Sequence, residues 1–254
     1  MPVELKSRDE IALMREAGRI VAQVLEILAA EVRPGLNVRR LDEIVREEYR
    51  RRNVIPTFLG YAPGNAPPYP ATVCVSINDQ IVHGIPRDRI LQEGDIVSID
   101  LGATYKGFVG DAAITVPCGN VSPEAMRLIE ATKGALWAGI NAAQPGARLG
   151  DIGAAVQEYA ESRGFSVVRD FVGHGIGRHM HEEPSVPNYG ERGKGRRLQP
   201  GWVIAIEPML NAGRPETRVG PDRWTIYTAD GSLSAHFEHT VAITEHGPEV
   251  LTLP

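Results

Sequence analysis

Leu91-Gln92-Glu93-Gly94-Asp95-Ile96-Val97-Ser98-Ile99-Asp100 aligns without a gap on Leu198-Gln199-Pro200-Gly201-Trp202-Val203-Ile204-Ala205-Ile206-Glu207. Leucine, glutamine, glycine and the last isoleucine are identical. The run before the final residue is apolar in both copies, and each copy closes on a carboxylate. Chance rarely places two acids at matching strand ends, so the pairing implies an internal duplication that relates Asp100 to Glu207 by an approximate two-fold axis. Two half-sites facing one another would make one centre.

The helices repeat in the same way. Ser7 and Glu10 form a capping box ahead of a helical stripe of Ile11, Met14, Ile20, Val21, Val24, Leu25 and Leu28. Pro34-Gly35 separates it from a second amphipathic helix marked by Val38, Leu41, Ile44, Val45 and Tyr49. Ser122-Pro123-Glu124 opens a third helix through about Asn141, and after Pro145-Gly146 a fourth runs from about Leu149 to Arg163. Each half, roughly 7–118 and 119–245, thus supplies two helices and a set of strands. The expected class is α+β, one catalytic domain over 1–254 in which helices cover the outside of a curved antiparallel sheet. Ala62 to Pro70, with four prolines and a Gly-Asn pair, reads as a loop.

A chain of 254 residues with 43% apolar and 23% charged content is not disordered, and its net charge of −5 argues against general nucleic-acid binding. Arg39, Arg40, Arg46, Arg50, Arg51 and Arg52 read as a solvated helix face. Cys74 and Cys118 are too few for a disulfide framework or zinc knuckle, which fits a reducing cytoplasm. No signal stretch and no run of about 18 apolar residues is present.

Chemistry concentrates in Asp100, Asp111, His174, Glu207 and Glu238. Holding two divalent cations roughly 3.5–4 Å apart calls for carboxylates that can bridge. Four carboxylates offset four positive charges and one neutral imidazole adds a directional donor, so the set reads as a two-metal hydrolase site. Asp100 and Asp111 fall on a hairpin whose turn lies near Ala103 to Gly107. Asp111 taken alone reads as an ordinary strand-ending aspartate. In Phe171-Val172-Gly173-His174-Gly175-Ile176-Gly177 the flanking glycines permit close backbone approach and otherwise strained dihedrals. His181 follows seven residues on. Glu207 ends an apolar strand with a charge, costly unless exposed or matched by a cation. Glu238 starts a β-branched run.

At these residues the chain resembles the methionine aminopeptidases of type I, within the wider creatinase and prolidase group of "pita-bread" metallohydrolases. The resemblance runs from the first helix through Glu238-His239-Thr240 and includes His181 and Pro187-Asn188-Tyr189. It implies that Asp100 chelates one metal, that Asp111 and Glu238 bridge, and that His174 and Glu207 bind the other. Glu207 is implied also to shuttle a proton, with His83 and His181 contacting the scissile amide. The implied reaction is removal of an N-terminal methionine by hydroxide that two metals activate, the metals being cobalt, manganese, iron or zinc. Phe58, Tyr61, Tyr69, Cys74, Met180 and Trp224 occupy positions like those of the family's methionine pocket.

Three departures stand out. Met180 replaces a usual aromatic residue, the Tyr61 to Cys74 segment is long and proline-rich, and Asp100-Leu101-Gly102 lacks the threonine often found two positions after the first ligand. The rival readings are an Xaa-Pro peptidase of the same fold and a binding module that has lost catalysis. The first rival usually carries an extra N-terminal domain, whereas the first helix here starts near residue 7. A monomer is expected, as is transient contact with ribosomes through Arg214, Arg218 and Arg223 in one loop.

Overall fold

The computed structural model describes residues 3–254. Helices α1 (Arg8–Glu31) and α2 (Arg39–Arg52) come first, and strands β1 (Ile55–Pro56), β2 (Cys74–Ile77), β3 (Gln80–Val82), β4 (Ile96–Tyr105) and β5 (Phe108–Pro117) follow. Helices α3 (Pro123–Ala142) and α4 (Leu149–Glu161) begin the second half. Its strands are β6 (Ser166–Val167), β7 (Gly173–Gly175), β8 (Glu182–Val186), β9 (Val203–Ile206) and β10 (Met209–Asn211). The chain closes with β11 (Thr217–Val219), β12 (Ile226–Thr228), β13 (Ser234–His236), β14 (Glu238–Thr244) and β15 (Gly247–Val250).

Local chemistry sets the helix starts. Ser7 Oγ accepts from the Glu10 amide and the Glu10 carboxylate accepts from the Ser7 amide, so two of the free N–H groups at the start of α1 are satisfied. Ser122 caps α3 with Pro123 in its first turn. The arginines of α2 do lie at the surface, several paired along their own helix: Arg40 with Glu43 and Glu47, Arg46 with Asp42, Arg51 and Arg52 with Glu48.

The class is α+β. The main antiparallel sheet runs β1-β4-β5-β14-β9-β7-β8, with β2 also on β4 and β15 on β14. Exchanging β4 with β9 and β5 with β14 leaves the central order β4-β5-β14-β9 unchanged. This is the duplication expressed as topology. Helices α1 and α2 pack Val21, Val24, Leu28, Leu41 and Val45 with Val97, Ile99 and Leu101; α3 and α4 pack Leu128, Leu136, Ile152 and Val156 with Ile204, Ile206 and Val241. Each such aliphatic side chain contributes about 1.5–3 kcal/mol on burial. Because strand side chains alternate, Asp100 between Ile99 and Leu101 must point to the face away from the helices, as must Glu238 and Thr240 beside His239 and Val241.

One strand differs from expectation. Asp100 does not end its strand: β4 continues to Tyr105 in an uninterrupted ladder with β5, turning at Lys106-Gly107, both at positive φ. The ten-pair ladder carries the backbone well past the acid, so of the two aligned acids only Glu207, directly after β9, sits at a strand end. Asp111 likewise is no strand terminator; it lies inside β5 opposite Gly102.

Helix α1 approaches β5 unusually closely. A Cβ on Gly110 would lie 2.6 Å from the amide nitrogen of Gly18 and 2.8 Å from its Cα. Glycine at 110 allows that contact, while the missing side chain of Gly18 leaves room on another side for the Leu251 carbonyl.

Candidate metal and peptide site

Every residue expected at the metal and peptide site lines one cavity of about 380 Å³: Asp100, Asp111, His174, Glu207 and Glu238, with His83 and His181 beside them. Phe58, Tyr61, Tyr69, Cys74, Met180 and Trp224 line it too, together with Pro63, which sequence reasoning did not select. The five donors come from four strands and one strand end, two from the first half and three from the second. The β5–β14 seam between the halves is stitched by side chains: Thr240 Oγ1 accepts from the Asp111 amide and donates to the Asp111 carbonyl. Just before β14, at the end of β13, Thr115 Oγ1 of β5 accepts from the His236 amide and donates to its carbonyl.

His174 is held on a narrow strand. A Cβ at Gly173 would strike the carbonyl of Ala205, and one at Gly175 the carbonyl of Glu183, so both flanking glycines serve close approach to neighbouring strands. Neither has positive φ, and of the two roles expected for them only close approach applies. The His174 Nδ1 lies 2.9 Å from the Gly175 carbonyl, which leaves Nε2 toward Glu207 Oε1 at 3.5 Å. Asn188 Nδ2, fully buried, donates to the carbonyl of Glu207 and fixes that carboxylate's backbone.

Charge in this cavity is uncompensated by protein cations. Burial, with Asp111 and Glu207 nearby, drives the Asp100 carboxyl well above its usual range. Glu238 and Glu207 rise strongly for the same reasons, and burial pushes Asp111 up to about 7. Asp100 Oδ1, Asp111 Oδ1 and Glu238 Oε1 are buried without a hydrogen-bond partner. Buried acceptors left unmatched cost about 1–3 kcal/mol each, and more when charged, which suits this donor set to divalent cations. Asp111, His174 and Glu238 each offer a ligand atom within 4.8 Å of the others, and so do Glu207, His236 and Glu238. Asp100 lines the cavity but belongs to neither trio. His236 was not singled out from the sequence, although it lies two residues before Glu238 and so at the alternation that puts both on one face.

The two other histidines stand differently. His83 has φ of 60°, a left-handed conformation that a side-chain-bearing residue adopts at a cost, and its ring is edge-on to Phe171 at 5.7 Å and to Trp224 at 6.1 Å. Burial lowers it to about 4, with His181 adding to the effect, so at neutral pH it is an uncharged imidazole. His181 is 4.3 Å from His174, ring to ring, and its Nδ1 lies 2.6 Å from the Tyr61 hydroxyl. The apolar end of the cavity is aromatic: Tyr69 meets Phe58 and Trp224 edge to face at 6.5 and 5.1 Å.

Two of the three departures acquire a physical setting here. Gly102 faces Asp111, and a Cβ there would stand 3.1 Å from the Phe58 ring and 3.4 Å from Asp111 Oδ1, so a larger residue would crowd both. The proline-rich loop closes on itself through Gly60 N to Tyr69 O and Tyr69 N to Tyr61 O, and Trp224 Nε1 donates to Pro67 O. Arg214, Arg218 and Arg223 do not share one loop: Arg218 is on β11, which pairs with β12 and through it with β3, and Arg223 donates to the Asn65 carbonyl.

The profile of metallopeptidase family M24 matches residues 12–245. The methionine aminopeptidase of Aquifex aeolicus is 51% identical over 258 residues, 99% of each chain. Methionine aminopeptidase 1 of Bacillus subtilis is 47% identical over 97% of this chain and 98% of its own. Among solved structures, the methionine aminopeptidase of Thermotoga maritima superposes with a TM-score of 0.96 at 42% identity, covering all of both chains. The prolidase of Pyrococcus horikoshii matches at a TM-score of 0.75 and 22% identity over 98% of this chain and 63% of that one, a likeness of fold alone.

Proposed function

The chain belongs to metallopeptidase family M24, and on that premise we propose that it is an aminopeptidase that removes N-terminal methionine from peptides and nascent proteins. The observation that carries the reading is the meeting of four carboxylates, Asp111 and Glu238 buried and Asp100 and Glu207 partly so, with His174 in one cavity with an aromatic end, in a chain so similar to methionine aminopeptidases. We read residues 1–254 as one catalytic domain, because both halves contribute donors to that cavity.

Asp100, Asp111, His174, Glu207 and Glu238 would hold two divalent cations, of cobalt, manganese, iron or zinc. When bound, such ions polarise the scissile carbonyl and lower the pKa of water. Glu207, at the cavity wall, takes the proton of the attacking water on its carboxylate and returns it to the leaving amine. Neutral His83 donates a hydrogen bond to the reacting amide, and His181, oriented by the Tyr61 hydroxyl, steadies the tetrahedral oxyanion. Phe58, Tyr69, Cys74, Met180 and Trp224 enclose an unbranched thioether side chain; Met180 adds a pliable wall.

Profiling the metal-loaded protein against Met-Ala-Ser and Xaa-Pro peptides tests the reading. Release of methionine without cleavage before proline supports it, and the reverse preference overturns it in favour of an Xaa-Pro peptidase. His83→Ala is expected to lower kcat about 10²-fold with little change in KM, the scale of one lost donor to developing charge. A parallel rise in KM with unchanged kcat would instead make His83 a ground-state contact.

Cation binding is expected to release protons. Asp111, raised to about 7, is protonated below that pH in the metal-free protein and must ionise to bind, so apparent affinity for Mn²⁺ climbs as pH rises toward 7. Calorimetric titrations in two buffers of different protonation enthalpy measure the release; a pH-independent affinity contradicts it.

No helix among the described residues is long and apolar enough to cross a membrane. A cytoplasmic monomer is the state we propose, with transient ribosome contact through the exposed side chains of Arg214 and Arg218. Salt-insensitive or undetectable binding to ribosomes would count against that contact.

A further inference from the structure

We propose that His236 is a sixth metal-binding residue, whose Nε2 joins Glu207 and Glu238 in holding one of the two cations. The proposal rests on reading the cavity as a metal centre and adds to the donor set inferred from resemblance, which contains a single histidine.

Three observations carry it. His236 is 2% exposed and its Nε2 has no hydrogen-bond partner. That atom stands 3.7 Å from Glu207 Oε2 and 3.9 Å from Glu238 Oε2. These separations are too long for hydrogen bonds. They are close to the roughly 3.3–3.6 Å that separates two donors bound at about 2.0–2.2 Å to one tetrahedral cation. Finally, the backbone of His236 is clamped by both bonds to Thr115 Oγ1 and by pairing with Met209, so the imidazole is presented from a fixed base.

Glu207 then lies between two imidazoles, Oε1 toward His174 and Oε2 toward His236. Five of the six donors fall into two trios that share Glu238, Asp111–His174–Glu238 and Glu207–His236–Glu238, each with one nitrogen, and Asp100 stands outside both. A second nitrogen donor moves selectivity from manganese toward cobalt and zinc, since imidazole favours the later metals.

The test is titration of the metal-free full chain with Co²⁺ alone, followed by visible absorption and by proton NMR of hyperfine-shifted imidazole N–H resonances. The wild type is expected to show two shifted imidazole sets, from His174 and His236. His236→Gln should keep one set and lose about 10–100-fold in affinity for one cobalt, at least the loss that follows removal of a group supporting a metal ligand. His236→Ala, with thermal unfolding of the metal-free form as the fold control, should behave alike. A single imidazole set in the wild type, or unchanged affinity and spectra in the folded variants, overturns the proposal while leaving the metal-centre reading intact. Failure of the wild type to bind Co²⁺ overturns both.

Discussion

Asp111→Asn is expected to reduce methionine release from Met-Ala-Ser about 10³-fold or more while leaving the fold intact. Asparagine keeps the shape and the backbone bonds to Thr240, but it cannot carry the negative charge that a shared cation requires. Several kcal/mol of charge stabilisation depends on such a ligand, and each 1.36 kcal/mol is about tenfold in rate. Stability should move the other way. The folded pKa of Asp111 is raised from 3.8 to about 7, so its contribution is full below about 3.8 and is lost as pH rises to about 7. The metal-free variant, free of that buried charge, should therefore unfold at higher temperature than the metal-free parent at pH 8, and at a similar temperature at pH 4. Turnover within tenfold of the parent would remove Asp111 from the metal set.

Gly110→Ala should have a large effect on stability. The added methyl meets backbone atoms of Gly18 and Ala17, which no rotamer change can move aside, so α1 must shift away from β5. Overpacking typically costs about 1–3 kcal/mol and more where backbone has to yield. For a chain of this size about 3 kcal/mol lowers Tm by roughly 6–12 °C. Asp111 follows directly in the chain, so activity should fall with it even below the melting temperature. A variant with parental Tm and turnover would mean that the helix approaches the sheet less closely than Gly110 permits.

Much of the fold was legible because the signals were local. The Ser7–Glu10 capping box and Ser122-Pro123 marked helix starts, and the two Leu-Gln-x-Gly runs gave away the duplication. The extension of β4 past Asp100 was not legible, since Leu101-Gly102-Ala103 has no strand-like periodicity of its own and is held by pairing with β5. The short strands β6 and β10 are defined by distant partners for the same reason. Among site residues, His174 was conspicuous for its glycines. His236 carried no such setting and is distinguished only by what stands within 4 Å of it in space.

The seam between β5 and β14 also bears on the order of events when the chain is made. Ala113 pairs with Glu238, and Asp111 is tied to Thr240, across more than a hundred intervening residues. Closing a loop of that length precedes any return from the contacts it allows, which makes it a slow step. A ribosome-bound chain that has exposed only the first half holds Asp100 and Asp111 but lacks His174, Glu207 and Glu238. Catalytic competence is thus tied to completed synthesis, and refolding experiments should find activity returning with the slowest phase, after helix signals have recovered.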